Sequence, residues 1–80
     1  MAKASSNIVH QYFKKELEGS KILVKVNPIH WKGTEIVVPE NGNAEARDLD
    51  FDAEILEDLK VDGFEPSSAL EFNLYYSGLA

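Results

Sequence analysis

The residues able to do chemistry are few and far apart. His10 and His30 are the only histidines, and cysteine is absent. Structural zinc sites lean on thiolates and imidazoles, so two histidines alone cannot complete one. The same absence removes disulfides and thiol nucleophiles and fits a reducing compartment. A serine nucleophile of the elbow type needs a G-x-S-x-G turn, and no such run occurs. The glycines, at 19, 33, 42, 63 and 78, stand singly. Neither a dinucleotide fingerprint nor a phosphate-cradling loop can be built from them.

Acidic residues form the densest chemical pattern. Asp48, Asp50 and Asp52 alternate with Leu49 and Phe51, as at the start of an EF-hand loop. That loop also needs glycine at its sixth position and a bidentate glutamate at its twelfth. Ala53 and Leu59 stand there instead, so the run cannot close around calcium. Glu54, Glu57 and Asp58 follow on what reads as a helix. Paired carboxylates act as acid and base only where their environments push their pKa values apart, and an exposed helix face does not do that. No catalytic residue, metal or cofactor is therefore expected. An enzyme would need an unrecognised site assembled from His10, His30, tyrosines and carboxylates.

Charge is unevenly spread along the 80 residues, whose net charge is −6. Residues 1–39 carry six lysines against three glutamates, a balance of +3. Residues 40–80 carry Arg47 and Lys60 against eleven acids, a balance of −9. An acidic surface of this kind steers basic partners and repels nucleic-acid phosphate. Two aromatics lie off the obvious apolar stripes. Trp31 sits in a connection, and Tyr75 adjoins Tyr76, so a regular strand would turn one of the pair outward. Aromatic anchors are enriched at binding hot spots. The candidate partner-binding set is Trp31, Tyr75, Asp48, Asp50, Asp52, Glu54, Glu57 and Asp58.

Elements must position these groups. Ile8, Val9, Tyr12, Phe13 and Leu17 recur at helical spacing, which predicts a helix over 7–18, capped by Ser5 or Ser6 and stopped by Gly19. Lys21 to Asn27 alternates β-branched residues and predicts a strand ended by Pro28. A second strand is predicted from Thr34 to Val38, and a short strand or a loop from Ala44 to Asp50. Asp52 reads as the cap of a helix over Ala53 to Val61, with Phe51 and Leu56 at staple spacing. Ser68 to Tyr76 alternates once more and predicts a last strand.

The expected fold is α+β, in the order α-β-β-(β)-α-β. A small antiparallel or mixed sheet of three or four strands would carry both helices on one face. The chain is expected to be one domain, 1–80, with frayed ends at 1–5 and 78–80. The α-β-β-β-α part of that order is similar to the double-stranded-RNA-binding domain, but its second helix would be acidic where phosphate requires cations. Direct nucleic-acid binding is not expected, and no family assignment follows. No apolar run nears the roughly 20 residues that span a bilayer. The start, Met1 to Ser6, lacks the apolar core of a secretory signal. Cytoplasmic residence without membrane contact is the resulting expectation. The function expected is a non-catalytic protein-binding module (an adaptor, subunit or inhibitor) with a basic protein partner. An acidic mimic of nucleic acid that occupies a DNA-binding protein is the alternative. Self-association through the last strand is also expected, because an unpaired apolar edge is sticky.

Overall fold

In a computed structural model of the chain, residues 9–77 are described. Five strands and two helices follow one another: β1 (Gln11–Leu17), β2 (Ser20–Asn27), β3 (Lys32–Val38), β4 (Glu45–Asp50), α1 (Ile55–Val61), β5 (Glu65–Pro66) and α2 (Ala69–Ser77). The strands form one antiparallel sheet in the order β4-β3-β2-β1-β5. The α+β class stands; the element order and strand count do not match the expectation.

The first predicted helix is a strand. Leu17 pairs with Ser20, so only Glu18 and Gly19 make the turn between β1 and β2. Both have positive φ, 42° and 93°. Two consecutive left-handed residues are the type I′ geometry whose twist suits a tight hairpin. Gly19 does adopt the left-handed conformation inferred for it, but it closes a hairpin rather than a helix. The predicted caps, Ser5 and Ser6, lie outside the described residues, as do the ends expected to fray.

The strand from Lys21 to Asn27 is present as β2, one residue longer at its start. Its connection to β3 is the four-residue stretch 28–31. Asn27 organises it: its Oδ1 accepts from the Ile29 and His30 amides at 2.8 and 3.1 Å, and its carbonyl accepts from the Trp31 amide at 2.8 Å. An asparagine side chain that imitates a turn of backbone is well suited to this place. The undecided segment after Asn41-Gly42 is a strand, β4, paired with β3 along its length.

The predicted last strand is the helix α2. Ser68 Oγ accepts from the Glu71 amide at 3.1 Å, and the Ser68 carbonyl accepts from the Phe72 amide at 3.1 Å. Ser68-Ala69-Leu70-Glu71 is thus the S-x-x-E start signal of a helix. The alternation of Leu70, Phe72, Leu74 and Tyr76 misled because Ala69 and Tyr75 are apolar too. The segment is apolar in every direction and fits either period.

The helices lie on opposite faces of the sheet, not on one. Phe13, Ile22, Val24 and Val26 share a face and pack with Leu59, Ile55 and Leu56 of α1, together with Trp31, Phe51 and Phe64. Tyr12, Leu23, Ile36 and Val38 share the other face and pack with Phe72 and Tyr75 of α2. Phe51 and Leu56 both join the α1 core, but with Glu54 at the cap they do not hold the staple positions expected of them. Asp52 is a turn residue rather than the cap: its Oδ1 accepts from the Glu54 amide at 3.0 Å, and Glu54 occupies the cap position.

One close approach holds the first core shut. Gly33 pairs with Val26, and a methyl group there would collide with the Lys25 carbonyl oxygen and lie 2.7 Å from the Phe51 ring. Gly33→Ala is therefore expected to destabilise the fold by roughly 1–3 kcal/mol, the usual cost of overpacking. Urea unfolding followed by the fluorescence of Trp31 measures this. An unchanged midpoint would show that the β2–β3 pair is looser than described.

Candidate functional site

Three surfaces carry the groups singled out by sequence. The first is an open cleft of about 470 Å³ on the sheet face shared with α2, lined by His10, Lys25, Asn27, Lys32, Thr34, Asp48 and their neighbours. Strand periodicity puts Asp48 and Asp50 on this face together. Both are already engaged. Asp48 Oδ1 accepts from Thr34 Oγ1 at 3.1 Å, and Asp50 pairs with Lys32 at 3.3 Å. On the reverse side of β4, Arg47 meets Glu35 at 2.9 Å. These are cross-strand pairs that favour one register, each worth a few tenths of a kcal/mol to about 1 kcal/mol.

The second surface is the outer side of α1. Glu54, Glu57 and Asp58 are exposed there, and Asp52 lies just before them. Glu57 and Asp58 sit in the first turn, where the helix dipole favours negative charge. Among the described residues, no lysine or arginine forms an ion pair with these three acids. The six candidate acids are therefore split by the fold. On the α2 side of the sheet Asp50 is paired with Lys32 and Asp48 is hydrogen-bonded to the neutral Thr34 hydroxyl, while those beside α1 face water on the other.

The third is α2 and the ionic cluster beneath it. Glu71 meets Lys14 at 3.5 Å and Lys21 at 3.2 Å, and accepts from Ser67 Oγ at 2.7 Å. Lys21 Nζ also donates to the Tyr75 hydroxyl at 3.2 Å and lies 5.2 Å from its ring centroid. The Ser67 hydroxyl, then Lys21 and Lys14, hold the Glu71 carboxyl below its ordinary value against the opposing effect of burial. The Tyr75 hydroxyl, then Glu71, hold the Lys21 ammonium above its ordinary value, again against burial. This cluster was missed in the sequence because its members lie about 50 positions apart and meet only when α2 docks on the sheet.

The two aromatic candidates are not brought together. Trp31 is half-buried against the α1 core, with its carbonyl accepting from the Phe51 amide at 2.7 Å. Its φ of 57° is unusual for an aromatic residue, and packing of the ring on the core opposes that strain. Tyr75 is half-buried on the opposite face, engaged by Lys21. Both are core-edge residues rather than a shared exposed anchor. His10 lines the cleft, while His30 is exposed in the β2–β3 connection.

Among the described residues, no group of three or more histidines or carboxylates is arranged to hold a metal ion, and no helix is long and apolar enough to cross a membrane. The chain matches no family model, no curated protein and no solved structure.

The ionic cluster sets a pH dependence. A carboxyl with a lowered folded-state pKa stabilises above its unfolded value, and that stability is lost as pH falls through the folded value. The raised Lys21 contributes below its unfolded value and is lost as pH rises through the folded one. Glu71→Gln is thus expected to cost about 1–2 kcal/mol near neutral pH, with the gap from the unsubstituted chain closing below the ordinary carboxylate range. Urea titrations at neutral and acid pH check this, and a gap that stays constant would contradict it. Trp31→Ala is expected to cost about 2–3 kcal/mol through lost packing. Thermal unfolding followed by circular dichroism measures it; a loss within a few tenths of a kcal/mol would return Trp31 to the list of free surface anchors.

Proposed function

We propose that this chain is a non-catalytic protein-binding module, an adaptor, subunit or inhibitor, that receives a basic partner on the outer side of α1. The observation that carries the reading is the excess of negative charge on that side, where Lys15 reaches only the Asp62 carbonyl at the far end of the helix and, among the described residues, no lysine or arginine pairs with Glu54, Glu57 or Asp58. From Asp52 to Glu65 the sequence holds Asp52, Glu54, Glu57, Asp58, Asp62 and Glu65 against Lys60 alone. Within β4, by contrast, Asp50 is paired with Lys32 and Asp48 is hydrogen-bonded to the Thr34 hydroxyl. Uncompensated surface charge raises the encounter rate with an oppositely charged patch and orients the approach. The docking surface is accordingly narrower than the sequence suggested: it centres on Glu54, Glu57 and Asp58, with Asp48 and Asp50 outside it and Trp31 and Tyr75 supporting the fold.

The alternative, a mimic of nucleic-acid charge, asks for carboxylates spaced along one continuous surface. The division of the acids between two faces favours the first reading.

Recovery of partners from native lysate, compared between the unsubstituted chain and two charge reversals, tests the proposal. Glu57→Lys with Asp58→Lys is expected to reduce recovery of a basic partner about tenfold or more, and Asp50→Lys to leave it near its original level. Rising salt should weaken the capture. Equal recovery by the α1 reversal would remove α1 as the docking surface. Competition of the captured partner against DNA separates the two readings, because a nucleic-acid mimic alone must be displaced.

A further inference from the structure

The two ends of the sheet have no part in that reading, and they differ. At one end β5 is only two residues long, and the second is Pro66. Shortness and proline blunt an edge, because they leave few backbone groups for another chain to pair with. At the other end β4 runs for six residues. It holds neither proline nor lysine, and its register against β3 is unbroken from Glu45 to Asp50, so no bulge turns it away. Among the described residues, no strand pairs with its outer side. Self-association was expected through the last segment as an open strand edge. That segment is the helix α2, whose backbone groups bond internally, so the open edge belongs to β4.

The ladder fixes which backbone groups are open. The Phe51 amide donates to the Trp31 carbonyl at 2.7 Å, one step beyond the opposed residues Lys32 and Asp50. Opposed residues of an antiparallel ladder alternate between bonded and non-bonded pairs. Glu45, Arg47 and Leu49 therefore turn their amides and carbonyls toward β3. Ala46, Asp48 and Asp50 turn theirs outward, and each offers one donor and one acceptor.

Side-chain charge selects the occupant. A second copy is opposed in the registers that use most of the strand. Antiparallel self-pairing centred on Arg47 sets Arg47 against Arg47, and centred on Asp48 it sets Asp48 against Asp48. Centred on Leu49, it sets Asp48 against Asp50. Like charges directly opposite destabilise a strand pair. The same acids favour a basic strand. Among the described residues Asp48 forms no ion pair, and Asp50 is held by Lys32 in a pair exposed at both ends. On the reverse side of β4, Arg47 is bonded to Glu35 and Leu49 is apolar, so uncharged neighbours suit them. Glu45, at the first position, adds a further negative charge.

The geometry points to the outer edge of β4 as a strand-addition site for an extended, antiparallel segment of a partner protein with basic residues at alternate positions. The segment's backbone pairs with Ala46, Asp48 and Asp50 and lengthens the sheet by one strand. Its basic side chains fall beside Asp48 and Asp50, on the side of the sheet that carries the open cleft. Its intervening uncharged residues fall beside Arg47 and Leu49. The site is independent of the α1 docking surface: α1 attracts by charge, while the edge also requires an extended backbone.

Amide hydrogen exchange of the full chain, alone and with a peptide of about eight residues that alternates lysine and valine, tests the inference. Alone, the amides of Ala46, Asp48 and Asp50 should exchange fast, and those of Arg47 and Leu49 slowly. Saturating peptide should slow the first set about tenfold or more and leave the second nearly unchanged. A peptide of the same charge, N-methylated along its bonding edge, should not bind, nor should one with glutamate in place of lysine. Asp48→Lys with Asp50→Lys is expected to weaken binding about tenfold or more. Ala46→Pro is a second variant: it removes one outward donor, leaves the bonds to β3 in place and should weaken binding about fivefold. Glu57→Lys with Asp58→Lys should leave peptide binding unchanged, so failure here and failure of the α1 docking surface are separate outcomes. No binding at about 1 mM peptide overturns the inference. Equal binding of the N-methylated peptide overturns it too, as does protection that falls elsewhere than on the three alternate amides.

Discussion

The alternation of β2 between two covered faces is the constraint from which the architecture follows. Leu23 points into the α2 core, while Val24 and Val26 point into the α1 core. All three are buried, in the middle strand of the order β4-β3-β2-β1-β5. A strand clothed on both sides must offer apolar residues at successive positions, and its neighbours must do the same where they lie beneath a helix. Tyr12 and Phe13 of β1 meet this demand, one toward each core. The two cores are thin, with four and three buried residues, so each depends on half-buried residues at its margin: Trp31, Phe51 and Phe64 on one side, Tyr75 and Val38 on the other.

Attachment of the helices differs between the faces, and that difference shapes the surface. α1 is held by apolar contact, through Leu59, Ile55 and Leu56, so its acids are free to face water. α2 is held by Phe72 together with the Glu71 cluster, which consumes the only charge on that helix. The outer side of α1 is therefore acidic, while the outer side of α2 carries no charged residue, although the sheet beside α2 bears Lys25, Lys32, Asp48 and Asp50.

Much of the sheet could be read from residue type. β2 and β3 announce themselves by β-branched alternation and by Pro28 and Pro39, and the α1 segment by Asp52, Phe51 and its apolar spacing. The two failures share one cause. Periodicity separates helix from strand only when one side of the element is polar. In β1, adjacent Tyr12 and Phe13 face different cores, and their spacing to Leu17 imitates a helical stripe. In α2, apolar residues occur on every side, and their spacing imitates a strand. Local signals pointed the right way in both places: Glu18-Gly19 suits a two-residue hairpin turn, and Ser68 with Glu71 forms the start box of a helix. Capping and turn chemistry depend on a few backbone groups, so they survive where periodicity is ambiguous.

Composition and order alone determined the α+β class, the lack of thiol chemistry and the division of charge into a basic first half and an acidic second half, because these depend on which residues are present and on local propensity. Tertiary structure decided which face each helix covers, which acids are balanced and which are left bare, and that Trp31 and Tyr75 stand on opposite sides of a sheet. Those outcomes depend on pairing between residues distant in the chain, such as Glu71 with Lys14 and Lys21, and no local pattern encodes a contact across some 50 positions.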